Sequence, residues 1–259
     1  MTSTLPFTSA LVTGASSGIG EAMAELLGEA GIPTVVVARR QDRLQQLAER
    51  FPTIEVLVAD LGSAEGLAAA VARIEDEAAP IDLVVNNAGF GTSGDFHTLE
   101  ADRLDAEVQL NVAALTRLSR AALGAMVPRG RGYLLNVSSV ASFQPAPKLA
   151  VYAATKAYVT SLTESLHEEA RGTGVNVTAL CPGLTRSEFQ SVSRSESYAS
   201  QYPSFAWLEP TEVARTGLED VARGKALSIP GVLYKAMVTA SGFTPRTLAR
   251  RLSGRVQRD

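Results

Sequence analysis

The 259 residues read as an α/β chain: a doubly wound parallel sheet of about seven strands, helices on both faces, in a single domain. Short apolar runs recur from end to end. The runs are apolar throughout and do not alternate, as the strands of a parallel sheet covered on both faces must be. Each is followed by a longer stretch of helical periodicity, so strand and helix take turns along the chain.

In order, strands are predicted at ALVTG from Ala10, PTVVVA from Pro33, IEVLVAD from Ile54, IDLVVNNAG from Ile81, GYLLNVSS from Gly132 and VNVTALCPG from Val175. A weak seventh, KALSIP, lies at Lys225. Helical patterns cover Glu21 to Glu29, Arg43 to Arg50, Ala64 to Ala78, Leu99 to Val127 and Ala150 to Arg171, several with Gly or Pro at their ends. No repeat, linker or low-complexity tract divides them. The rhythm breaks at residues 187–209, rich in Ser and carrying Phe189, Tyr198, Tyr202, Phe205 and Trp207, which suits a lid over a substrate pocket. Residues 231–259 form a C-terminal extension, amphipathic and then basic, suited to packing at a subunit interface or against the lid.

Apolar residues make up 46%, charged residues 20%, and the net charge is −3, a globular composition that argues against a nucleic-acid partner. The basic stretch RTLARRLSGRVQRD at the end reads as a solvated helix face. Cys181 is the lone cysteine, so no intrachain disulfide and no thiolate metal site can form, which fits a reducing cytoplasm. The opening residues lack the pattern of a secretory signal, and no run approaches the roughly 18 apolar residues of a membrane span. A cytoplasmic protein is expected.

Ligands of open α/β sheets bind beyond the carboxyl ends of the strands. The first loop there is TGASSGIG, in which Gly14, Gly18 and Gly20 let the backbone approach a pyrophosphate at the start of a helix. The second strand ends in VARRQDR, with Arg39 and Arg40 and no acid before Asp42. An acid there would serve a ribose hydroxyl, whereas Arg suits a 2′-phosphate, so NADP(H) is favoured over NAD. Further on, VYAATKAY sets Lys156 one helical turn after Tyr152. On its own that pair reads first as a half-buried Tyr with a Lys stem lying over it. Ser139 at the end of the fifth strand, Asn111 inside an apolar helix and NNAG ending at Gly89 change the balance.

With these residues the chain resembles the short-chain dehydrogenase/reductase family in its roughly 250-residue form. The resemblance rests on TGASSGIG, NNAG, Asn111, Ser139, the Tyr152 and Lys156 pair, and CPG from Cys181 to Gly183. It implies a Rossmann-like fold, a nicotinamide-dependent oxidoreductase, a catalytic tetrad of Asn111, Ser139, Tyr152 and Lys156, a small-molecule carbonyl or alcohol substrate, and a homodimer or homotetramer. It also implies that Asp60 touches the adenine and Asn87 shapes the cofactor floor. The cofactor-binding set is then Gly14, Ser16, Ser17, Gly18, Ile19 and Gly20, followed by Arg39, Arg40, Asp60 and Leu61. Asn87, Ala88 and Gly89 continue it, and Tyr152, Lys156, Pro182, Gly183, Thr185 and Ser187 complete it. The family often has a Thr where this chain has Ser187, so Ser187 and Thr185 both remain candidates for the nicotinamide carboxamide. Where NADP enzymes of the family often carry Arg in the glycine loop, this chain has Ser17.

A free phenol titrates at about 10. A Lys ammonium about 4 Å away is worth roughly 4 kcal/mol at an effective dielectric of about 20, enough to bring Tyr152 near neutrality as general acid. Ser139 would hydrogen-bond the substrate oxygen, Lys156 would reach the nicotinamide ribose, and Asn111 would hold a water that relays protons. His167 reads as a helix-surface residue, His97 as a group beside the cleft within reach of substrate, and Cys181 as a small buried residue. The leading expectation is an NADP-dependent carbonyl reductase or secondary-alcohol dehydrogenase for a small or medium apolar substrate. The alternatives are an NAD-linked alcohol dehydrogenase and a non-catalytic NADP(H)-binding regulator.

Overall fold

The computed structural model describes residues 5–195 and 202–243. Tyr198 and the basic stretch 246–259 lie outside the described residues.

Seven parallel strands form one sheet: β1 (Ala10–Thr13), β2 (Thr34–Ala38), β3 (Ile54–Val58), β4 (Leu83–Asn86), β5 (Gly132–Val137), β6 (Val175–Leu180) and β7 (Leu227–Ser228), in the order β3-β2-β1-β4-β5-β6-β7. Helices α1 (Gly18–Glu29), α2 (Gln41–Arg50) and α8 (Pro210–Ala222) pack on one face. On the other lie α3 (Ala64–Ile74), α5 (Leu115–Arg129) and the end of α6 (Ala150–Glu169). Successive strand residues feed opposite cores. Val12, Val85 and Leu135 join the first, and Leu11, Val84 and Leu134 the second. This is why the strands are apolar at every position and not at every other one. The edge strand β3 departs from the pattern, with Glu55 and Val58 exposed.

Two predicted helices end or break differently. The third stops at Ile74, its last buried residue, because Asp76 turns its carboxylate onto the amide of Ala78 (3.0 Å) and Pro80 follows. The long helix predicted from Leu99 to Val127 is α4 (Ala101–Val108) and α5 joined by a π-helical turn, Gln109–Ala114. Such turns occur where a side chain must leave the regular ladder, often at functional sites. Here the side chain is Asn111.

The order of strands reverses between β1 and β4, opening the crevice at the carboxyl edge where ligands bind in this architecture. A short helix, α7 (Phe189–Val192), and α9 (Val232–Phe243) border it. The first part of the C-terminal extension packs against the segment after β6: Tyr234 is buried, and its hydroxyl donates to the carbonyl of Ala206 (2.7 Å) and accepts from the amide of Leu184 (3.1 Å). Among the described residues no helix is long and apolar enough to cross a membrane.

Candidate active site

A cleft of about 840 Å³ runs along the carboxyl edge. At one end Gly14 and Gly18 take the left-handed conformation, with φ of 66° and 61°. A side chain at Gly14 would lie 2.8 Å from the Cα of Ala88, so the loop and the end of β4 touch backbone to backbone. Asn87 locks the contact: its side-chain amide donates to the carbonyls of Thr13 (2.9 Å) and Gly14 (3.2 Å). Ser17 precedes α1 without capping it, so the amides of the first turn, with Ser16, Ile19 and Gly20, form a cradle suited to a diphosphate. These residues fit a nicotinamide dinucleotide.

Arg39 and Arg40 leave β2 into the same cleft but differ in what holds them. Arg40 donates to the Ser16 hydroxyl (3.1 Å) and carbonyl (2.8 Å), and pairs with Glu188 at 2.8 Å. Arg39 is largely exposed, with Asp60 3.9 Å away. Asp60 turns its other oxygen onto the amide of Gly62 (2.9 Å), and Leu61 beside it is buried. Glu188 is a further charged residue of the cleft that the sequence reading passed over.

At the other end β5 delivers Ser139, and α6 delivers Tyr152 and Lys156. Lys156 is buried, donates to the carbonyl of Val137 at 2.8 Å, and lies 5.7 Å from the centre of the Tyr152 ring. Ser139 accepts from the amide of Ala141 (3.1 Å) and donates to the carbonyl of Pro182 (3.5 Å), and it is the side chain that holds the Tyr152 phenol down. The phenol ring packs on Phe189 with centroids 5.1 Å apart. Asn111 clamps the loop after β4, accepting from the amide of Phe90 (3.1 Å) and donating to its carbonyl (2.7 Å), and donates to Thr155 (3.2 Å). Gly89 is the meeting point: a Cβ there would lie 2.8 Å from the Asn111 amide oxygen and 3.6 Å from the Lys156 nitrogen.

With that geometry in place, comparison with known proteins is decisive: a family model described as short chain dehydrogenase matches residues 8–197. The chain belongs to that family. An uncharacterized oxidoreductase of Myxococcus xanthus is 35% identical over 193 residues, 73% of this chain and 76% of that protein. Among solved structures, a short-chain dehydrogenase from Sphingobium yanoikuyae in complex with NADPH superposes with a TM-score of 0.81 at 33% identity, covering 90% of this chain and 93% of its own. The bulky-bulky ketone specific alcohol dehydrogenase from Comamonas testosteroni gives 0.76 at 31%, covering 94% and 96%. This short-chain dehydrogenase is thus an oxidoreductase with a Rossmann-like sheet.

Its electrostatics correct one expectation. Lys156 does not bring Tyr152 toward neutrality. Burial pushes the phenol up to about 12, opposed by the hydrogen bond with Ser139 and reinforced by the charge of Glu107. Burial also brings Lys156 down to about 8. In both groups the loss of hydration is the largest cause of the shift, and it disfavours the charged form of each.

After β6, Pro182, Gly183, Thr185 and Ser187 all line the cleft. The Thr185 hydroxyl donates to the carbonyl of Gly183 (3.1 Å), and that of Ser187 accepts from the amide of Phe189 (3.2 Å). Of the segment 187–209, Phe189 and Tyr202 face the cleft, whereas Phe205 is exposed and Trp207 stacks with Arg186. His97 sits exposed on a 3-10 turn and does not line the cleft. His167 is not a free surface residue: it is half-buried, its Nδ1 2.8 Å from the carbonyl of Val177, and ties α6 to β6. Cys181 is buried, its thiol pushed up to about 11 by that burial.

Proposed function

We propose that this short-chain dehydrogenase prefers NADP(H) and moves a hydride between the nicotinamide and the carbonyl or secondary-alcohol carbon of a small or medium apolar substrate. The observation that carries the reading is the meeting of Tyr152, Ser139 and Lys156 in the cleft that also holds the glycine loop and Arg40. The glycine loop, Arg40 and the residues after β4 and β6 would hold the cofactor, which when bound would supply the hydride. Tyr152 holds the proton that the carbonyl oxygen takes, and with its phenol at about 12 it keeps that proton throughout the neutral range. Ser139 orients the same oxygen and steadies the charge that develops on it. Lys156 supplies the nearby cation, and Asn111 fixes the loop that floors the site. Phe90, Leu149, Phe189, Val192 and Met237 line the cleft alongside the polar Gln144 and Gln190, and these apolar side chains support an apolar carbonyl compound.

Titration of the purified protein with NADPH and NADH, followed by fluorescence, tests the cofactor preference without knowledge of the substrate. NADPH is expected to bind in the micromolar range and NADH at least tenfold more weakly. Replacing Arg39 with Asp and Arg40 with Ala removes charge-assisted bonds worth about 1.5–3 kcal/mol each, so NADPH should lose roughly 10²- to 10⁴-fold in affinity while NADH gains. Unchanged affinities for both would make the two Arg residues surface charges only, and the search would turn to NAD-linked oxidation.

A further inference from the structure

One acid buried behind the wall of this site, between the lining residues Ala106 and Leu110 in the chain, has no part in the chemistry above. Glu107 has no exposed surface, and neither carboxylate oxygen has a hydrogen-bond partner. The Thr92 hydroxyl and the Nε of Arg103 are likewise buried without partners. An unpaired buried carboxylate is costly, and chains keep few of them.

Its placement is specific. Arg103, Glu107 and Asn111 follow one another at intervals of four, which puts them on one face of α4 and the π turn that continues it. The two ends of this row grip the loop after β4: Arg103 reaches the carbonyl of Gly91 (3.4 Å), and Asn111 holds both backbone groups of Phe90. Glu107, between them, makes no such bond. Thr92 of that loop stands toward the carboxyl, outside good hydrogen-bond geometry, and α6 packs against α4 from the other side, bringing Lys156 and Tyr152. Cys181, at the end of β6, is the remaining titratable group that acts on that pair.

We propose that Glu107 is a positioning residue for the reaction: a buried carboxyl behind Tyr152 and Lys156 whose single proton decides the charge those two side chains work against. This rests on the function proposed above. Burial lifts the carboxyl to about 7, against the lowering influence of Thr92, Arg103 and Lys156, so its proton leaves within the working range. Once ionised, it favours the Lys156 ammonium and disfavours the Tyr152 phenolate. The cation and the neutral phenol therefore coexist to higher pH than they would beside a neutral group.

The test is the pH profile of kcat/KM for NADPH-dependent reduction of an apolar ketone, measured for the wild type, Glu107→Gln and Thr92→Val. The wild type should show an inflection near 7. In Glu107→Gln that inflection should vanish and the alkaline limb should move down by on the order of one pH unit. Thr92→Val, which removes a group that holds the carboxyl down, should move the inflection upward. A Glu107→Gln profile that superposes on the wild type, or is only scaled by a constant factor, overturns the proposal, as does an unmoved inflection in Thr92→Val if Glu107→Gln does not fold. Carbon-13 NMR of the glutamate carboxyls, with the Glu107 resonance assigned by its loss in the variant, gives a readout independent of turnover. Titration near 7 supports the inference, and titration at the ordinary value near 4.5 defeats it even if the wild type reduces no ketone. The absence of reduction in a wild type whose Glu107 titrates near 7 counts against the proposed function and not against the carboxyl.

Discussion

Tyr152→Phe should lower the kcat of NADPH-dependent ketone reduction by about 10²- to 10⁴-fold, the range a positioned general acid contributes. The substitution removes a single oxygen. The ring keeps its packing on Phe189, 5.1 Å centroid to centroid, and the close approach of Gly91, whose added Cβ would lie 3.1 Å from the ring. Nothing in the glycine loop or near Arg40 depends on the phenol oxygen, so NADPH affinity should stay within about twofold. The loss should also be uniform from pH 6 to 9, because a phenol at about 12 is protonated across that whole interval and whatever shape the profile has must come from other groups. Steady-state kinetics and a parallel cofactor titration measure both quantities. Full turnover in the variant would remove Tyr152 from the chemistry. A loss confined to the alkaline side would mean that the phenol ionises much lower than its burial dictates.

Much of the fold is legible in the chain because its signals are local. Strands that feed two cores must be apolar at every position, and Val12 beside Leu11, or Leu135 beside Leu134, records this directly. The carboxyl edge then follows from the order of the elements, and Asn111, Ser139, Tyr152 and Lys156 stand out as polar residues in apolar settings that all fall on that edge. Less legible are properties that depend on what covers a residue. Tyr152 is pushed up because Phe189 and the loop at Gly91 close over it, and neither is near it in sequence. The π turn at Asn111 reflects a grip on Phe90, 21 residues earlier. His167 looks like a surface residue until the carbonyl of Val177 on β6 is placed beside it. Glu107 had a usable signal, its spacing of four from Asn111. On a helix of ordinary charge content, that spacing is indistinguishable from a solvated face until the loop of Phe90 and Thr92 lies on top of it.

That same covering makes stability depend on pH in a way Glu107→Gln should abolish. The folded chain holds the Glu107 proton to about 7, whereas an exposed glutamate gives it up near 4.5. A carboxyl raised in the folded state contributes its full stability below 4.5, loses it progressively as pH rises toward 7, and has none left above. The gap between the two values corresponds to on the order of 3 kcal/mol. Denaturant unfolding at a series of pH values, for the wild type and for Glu107→Gln, isolates it. The difference in unfolding free energy should move in favour of the variant by that amount between pH 4.5 and 8, because the amide has no charge to bury. How well the amide fits beside Thr92 adds an offset that is the same at every pH and shifts the whole curve without changing its slope. Parallel curves would therefore mean that Glu107 ionises as readily inside the protein as in water, and would require a charge partner that neither Arg103 nor Lys156 provides in this structure.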